Sequence, residues 1–96
     1  MSDHSALAAD AAIAHAEGLV ASDVNGEVVI LSIEAGHFFH LNPTGSRIWN
    51  LLDGPMTVAA LSATMAERFA VGADECRRDV TEFVEAMLDK GLLERV

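Results

Sequence analysis

The sequence predicts an α+β fold of winged-helix-like shape, in which a three-stranded antiparallel sheet is followed by three helices. The apolar residues recur with a period of about two before Leu41 and of about 3.6 after it. In addition, an Asn25-Gly26 pair, the strongest short hairpin signal, joins the first two strand-like runs. Because the strand-like segments all precede the helical ones, strands and helices are expected to segregate in the fold.

The three strands are predicted over residues 19–24, 27–33 and 37–41. Asn25 and Gly26 tolerate positive φ angles, which a two-residue hairpin requires. The second run is rich in β-branched residues, which favour strands. The short stretch Glu34-Ala35-Gly36 then turns the chain, so that the third strand runs back along the second.

The three helices are bounded by recognisable start and stop signals. Asn42 suits an N-cap and Pro43 the first position of a helix that Gly54-Pro55 ends. Thr57 is suited to cap the second helix, which breaks at Val71-Gly72. The third helix is expected from about residue 73 to residue 90, and the final "LLERV" is expected to be a short extended tail.

The 96 residues allow one small domain with one core. Residues 1–16 are expected to form an N-terminal arm, either weakly structured or an extra strand, because its apolar groups are mostly methyls that bury little area. Within the arm, the pattern leaves open whether residues 12–15 are extended. Residues 17–96 are expected to form the domain itself.

Charge and composition exclude several kinds of partner. The net charge is −9, from 15 acidic and 6 basic residues, and the first basic residue is Arg47. This field repels nucleic acids and anionic membranes. No apolar run approaches the ~18 residues of a membrane span, and the N-terminus lacks the basic region of a secretory signal. Cys76 is the only cysteine, as expected for a protein of the reducing cytoplasm.

The sequence does not favour catalysis or metal binding. His37 and His40 are three residues apart, so on a strand they point to opposite faces and do not share a metal. Cys76 follows the apolar period of the third helix and is interpreted as a core residue. No Gly-x-Ser-x-Gly pattern and no glycine-rich phosphate loop occurs. We therefore expect a protein that is not an enzyme, with no catalytic residue, metal or cofactor.

The second and third helices resemble a helix-turn-helix pair, which raises the alternative of a winged-helix DNA-binding regulator. A recognition helix needs basic and amide side chains. The third helix, "DECRRDVTEFVEAMLDK", has six acidic residues against three basic ones, so this alternative is disfavoured. An enzyme subunit whose active site forms only with a partner is a further alternative.

The third predicted strand is the most informative segment. As the last strand of the meander, residues 37–41 have a free edge, and no lysine or proline within this segment guards it. Such an edge can accept a peptide as an added strand. The alternatives are that the N-terminal arm or a second copy of the chain covers it, so a homodimer is possible.

At "HFFHLNPTGSRIWNLLDG" the sequence resembles the PqqD-like family, also called RiPP recognition elements. The preceding "NGEVVILSIEAGHFFHLN" and the following "TVAALSATMAERFAV" and "ECRRDVTEFVEAMLDKGLLERV" continue the resemblance over roughly residues 17–96. It implies a domain that binds the leader of a ribosomally made precursor peptide and presents it to a separate protease or a radical or other maturation enzyme. Family members include the pyrroloquinoline quinone peptide chaperone and stand-alone proteins of lasso-peptide biosynthesis, which this chain resembles more.

In this family the leader adds as a strand to the third strand and lies beside the third helix. The resemblance therefore implies a non-catalytic adaptor with peptide-binding residues on both elements. By position they are His37, Phe38, Phe39, His40 and Leu41 on the strand, and Arg77, Thr81, Val84, Glu85 and Leu88 on the helix.

Overall fold

The computed structural model describes residues 10–96, and its helices and strands confirm the predicted α+β class. The first nine residues, with His4, lie outside the described part. The strands are β1 (Ala12–His15), β2 (Leu19–Val24), β3 (Glu27–Ser32), β4 (His37–His40), β5 (Met56–Thr57) and β6 (Leu93–Arg95). The helices are α1 (Pro43–Leu51), α2 (Val58–Phe69) and α3 (Ala73–Asp89). None of these helices is long and apolar enough to cross a membrane.

The predicted meander is present as an antiparallel sheet of order β2-β3-β4. Asn25 and Gly26 form the hairpin turn with φ angles of 56° and 86°. On β3, Val28 and Ile30 are buried against the helices, and the residues between them face the other side of the sheet. We call these two sides the inner face and the outer face.

A second antiparallel sheet, of order β5-β1-β6, was not predicted as a sheet. It settles the open question about residues 12–15, which are extended and lie between two short strands from distant parts of the chain. Ile13 pairs with Met56 on one side and Arg95 on the other, and its side chain is fully buried. The predicted extended tail supplies β6. The division of the chain at residue 16 stays a prediction.

The helices begin where their caps predict. The Asn42 side chain accepts a hydrogen bond from the Gly45 N–H at 2.7 Å, and the Thr57 hydroxyl accepts one from the Ala60 N–H at 3.0 Å. Both bonds satisfy donors that a first helical turn leaves free. Helix α2 is followed by its C-cap residue Ala70, whose φ of 53° is left-handed.

One core lies between the inner face of the β2-β3-β4 sheet and the three helices. Helix α3 contributes its apolar stripe at the predicted helical spacing. The fully or nearly fully buried apolar residues of this stripe are Cys76, Val80, Val84 and Met87. Trp49 of α1 and Leu61 of α2 complete the packing around them.

Candidate functional site

β4 is an edge strand, as the sequence predicted. It pairs with β3 on one side, and no segment within residues 10–96 pairs with its other side. β1 lies in the other sheet and does not cover this edge. β4 is therefore open to strand pairing within the described structure.

The free edge presents the backbone groups of two residues. The Leu41 N–H donates to the Val28 carbonyl at 2.9 Å, so the backbone of Leu41 faces β3. Along an antiparallel strand, the backbone N–H and C=O groups of successive residues point alternately to one neighbouring strand and to the other side. The backbone groups of Phe39 therefore also face β3, whereas those of Phe38 and His40 face away from it. The N–H and C=O groups of Phe38 and His40 are therefore the ones that an added strand would meet.

A buried serine fixes the end of β4 against α1. The Ser46 hydroxyl accepts a hydrogen bond from the Val28 N–H at 2.8 Å and donates one to the Leu41 carbonyl at 3.3 Å. It thus bridges the Val28 N–H and the Leu41 carbonyl, which would otherwise form the second direct ladder bond of this residue pair. Since Ser46 is 1% exposed, these bonds are shielded from water and hold the strand in place.

A cleft of about 380 Å³ opens just beyond the end of β4, between the first turns of α1 and one flank of α3. Gly45 lines this cleft and lies close to Phe83, since a Cβ added at Gly45 would be 3.1 Å from the Phe83 ring. The lining residues are Asn42, Thr44, Gly45, Ile48, Asp79, Glu82 and Phe83. The α3 side of the cleft is therefore an aromatic ring flanked by two carboxylates.

Four of the five predicted helix residues lie on the other flank of α3, away from this cleft, and their contact with a peptide stays a prediction. Arg77 lines a separate hollow together with residues of α2. Thr81, Glu85 and Leu88 follow it at three- or four-residue spacing and so share that flank. Val84 is 0% exposed, so its side chain is core and not surface. Helical spacing alone does not reveal which flank borders the cleft, so the sequence did not single out Asp79, Glu82 and Phe83.

Among the predicted strand residues, four lie on β4 and one lies in the core. His37, Phe38 and His40 are exposed and Phe39 is half-buried. Leu41 follows the strand, is 6% exposed and bonds to β3 through its N–H, so it does not belong to the free edge. The candidate site is therefore β4 itself and the adjoining cleft.

The histidines are separated, as expected. His37 pairs with Ser32 and His40 with Val29, so they lie on opposite faces of the sheet. His40 Nε2 is 2.6 Å from a Glu27 carboxylate oxygen on the outer face. Within the described residues, no group of three or more His, Cys, Asp or Glu side chains is arranged to hold a metal.

Cys76 is a core residue, as its spacing predicted, with a side chain 1% exposed. Burial raises the pKa of its thiol, and the nearby Asp79 and Glu75 carboxylates raise it further. A thiol in this environment remains protonated at neutral pH and is a poor nucleophile.

Residues 27–93 match the sequence profile of the family described as coenzyme PQQ synthesis protein D, PqqD. The chain belongs to the PqqD family. The matched region begins with β3 and ends in β6, so it contains β4, the cleft and all three helices of this PqqD-family protein. Among curated protein sequences, none matches the chain.

Solved structures similar to this PqqD-family protein include two complexes with leader peptides. TbiB1 in complex with the TbiA(beta) leader peptide is 30% identical, with a TM-score of 0.75, over 84% of this chain and 94% of that one. Lasso peptide synthetase B1 with its leader peptide has 20% identity and a TM-score of 0.71, over 85% and 96%.

A third similar structure is the PqqD part of Methylobacterium extorquens PqqCD, described as a functional and stand-alone RiPP recognition element. It has 18% identity and a TM-score of 0.78, over 95% of this chain and 97% of that one. Because the identities to this structure and to lasso peptide synthetase B1 are 18% and 20%, these two similarities show a shared fold.

Proposed function

We propose that this protein is a non-catalytic adaptor that binds the leader of a ribosomally synthesised precursor peptide, as a lasso-peptide or other RiPP recognition element. The leader adds as a strand to β4, and the adaptor delivers it to a separate protease or maturation enzyme. The observation that carries this proposal is the free β4 edge, where the backbone groups of Phe38 and His40 face away from the sheet beside an open cleft.

The same sheet has a second edge at β2, but β4 is better suited to hold a peptide. Residues 20–24 of β2 are exposed, and only Leu19 of this strand packs against the core. β4 instead leads into the cleft beside Phe83 and has a partly buried Phe39 on its inner face. Backbone bonds at β4 supply affinity, and the adjoining cleft supplies selection among side chains.

The proposed contact residues follow from this geometry. Phe38 and His40 bond the guest backbone, while His37 and Phe39 meet the guest side chains that point to the inner face. On α3 we place the contacts on the flank that lines the cleft, at Asp79, Glu82 and Phe83. Arg77, Thr81, Glu85 and Leu88 lie on the other flank and are not needed for strand addition at β4.

The comparison with TbiB1 supports this proposal, because that protein is 30% identical over most of both chains and is in complex with a leader peptide. We infer that the catalysis belongs to a separate enzyme of the reducing cytoplasm. An adaptor that binds the leader and the enzyme raises the local concentration of the leader at that enzyme, and the adaptor needs no catalytic groups to do so.

A homodimer formed through β4 would compete with leader binding. The DNA-binding alternative gains no support, since acidic residues outnumber basic ones on α3.

The test is amide hydrogen exchange of the protein with and without the TbiA(beta) leader, and with peptides from a displayed random library. A bound strand should slow the exchange of the Phe38 and His40 amides, because they gain acceptors. The Phe39 and Leu41 amides already face β3 and serve as internal controls. Binding that leaves Phe38 and His40 unprotected, or failure of every peptide to bind, would overturn the proposal.

A further inference from the structure

The outer face of the β2-β3-β4 sheet carries most of the exposed apolar side chains in the described structure. Of the five large apolar residues that are at least half exposed in the described structure, three lie on this face: Val20, Val24 and Phe38. Apolar groups gathered on one face usually mark a surface that binds something. The outer face is not part of the hydrophobic core, because the helices pack against the inner face.

Three of the outer-face residues form a row across the strands. Val20 pairs directly with Leu31, and Leu31 pairs directly with Phe38. Phe38 ends the row at the free edge and is 72% exposed. The next position in the row is therefore the one that a strand added to β4 would fill.

A residue placed opposite Phe38 in an added strand has its side chain on the same face of the sheet, close to the phenyl ring. Building on the function proposed above, we propose that the captured leader carries an aromatic or β-branched residue opposite Phe38. This side chain completes an apolar row of four across the outer face. The leader is thus recognised on both faces of the sheet, and not only from the cleft on the inner face.

The neighbouring outer-face position has a different character. His40 is two residues further along β4 and pairs with the Glu27 carboxylate at 2.6 Å. A guest residue opposite His40 meets this polar pair and not an apolar row. The outer face therefore predicts a leader pattern of one apolar position, one inner-face residue and then one position that tolerates polar side chains.

The experiment is selection of a displayed random peptide library against the wild-type protein, Phe38→Thr and Phe38→Glu. Wild type should enrich aromatic or β-branched residues at one position. Phe38→Thr should lose that enrichment, and Phe38→Glu should replace it with lysine and arginine. Peptides selected on wild type should bind the Phe38→Glu protein about tenfold more weakly. Val24→Thr is the matched control, since it is equally an outer-face residue but lies on the opposite edge strand.

Two outcomes separate this inference from the proposed function. Peptides that protect the Phe38 and His40 amides but show no residue preference altered by the Phe38 variants would overturn the inference alone. Peptides that bind without protecting those amides would overturn both. Circular dichroism of the variants checks the fold, and threonine is included because it favours strands and keeps the sheet intact.

Discussion

The imidazole ring of His15 lies flat on the indole ring of Trp49, with centroids 3.8 Å apart and planes 7° from parallel. His15 Nε2 is also 3.2 Å from the Trp49 carbonyl oxygen, to which its N–H form donates. His15 ends β1 and Trp49 lies in α1, so the contact holds β1 against the helices. Burial lowers the pKa of His15, outweighing the Trp49 carbonyl and the Asp53 carboxylate, which raise it.

This contact predicts a pH dependence of stability. The folded state favours neutral His15, so as the pH falls below the ordinary histidine pKa of about 6.5 the unfolded chain binds a proton that the folded chain does not. Stability is then lost until the lowered folded-state pKa is reached, and it is fully present above about pH 6.5. The free energy of unfolding, measured with urea at a series of pH values, should fall more steeply with decreasing pH for wild type than for His15→Phe. This variant keeps a stacked ring that does not titrate. Equal slopes would contradict the assignment.

Removing the Ser46 hydroxyl should destabilise the fold. Ser46→Ala leaves the buried Val28 N–H without its acceptor, which should lower the free energy of unfolding by about 1–3 kcal/mol. The end of β4 should also loosen, because the bond to the Leu41 carbonyl is lost. Chemical denaturation measures the first effect and hydrogen exchange at Leu41 the second. Unchanged values for both would show that Ser46 does not hold the strand.

The opposite result is expected for Ser62→Ala in α2. Ser62 is 8% exposed, and its hydroxyl oxygen has no hydrogen-bond partner among the described residues. Alanine removes this buried polar atom and favours the helix, so the free energy of unfolding should stay the same or rise by about 0.5 kcal/mol. Comparison of Ser62→Ala with Ser46→Ala distinguishes the loss of a hydrogen-bonded hydroxyl from the loss of a buried hydroxyl without a described partner. Destabilisation above about 1 kcal/mol would reveal an unseen partner.

The close approach of Gly45 to Phe83 predicts that a larger residue at 45 disturbs the cleft. A Cβ there would lie 3.1–3.3 Å from two ring atoms, so the branched side chain of Gly45→Val must displace the ring. We expect a loss of about 1–3 kcal/mol in stability and about fivefold weaker binding of library-selected peptides. Thermal unfolding and peptide titration measure the two effects.

Gly72→Ser is the matched control for the Gly45 variant. Gly72 is also at the start of a helix, but a Cβ there meets nothing within 4 Å, and serine is a good N-cap. This variant should keep wild-type peptide binding and stability. If both glycine variants weakened peptide binding equally, the effect would not arise from the cleft.

Elements set by local chemistry were predictable to within a residue or two. The caps at Asn42 and Thr57 and the hairpin at Asn25-Gly26 lie where the sequence placed them. The third strand was predicted one residue too long, because the Leu41 side chain continues the strand pattern while Ser46 already interrupts the ladder. The second sheet was missed, since β5 has two residues and β6 three, too short for a periodic signal.

By itself the sequence determined the type and order of the main elements and the exposed third strand, because turn residues, caps and apolar period act over neighbouring residues. Tertiary structure decided that β1 joins β5 and β6, and that Asp79, Glu82 and Phe83, not Arg77, face the cleft. Both features depend on contacts between segments far apart in the chain. A helix with an apolar stripe has two flanks of equal local preference, and only its packing against α1 and α2 distinguishes them.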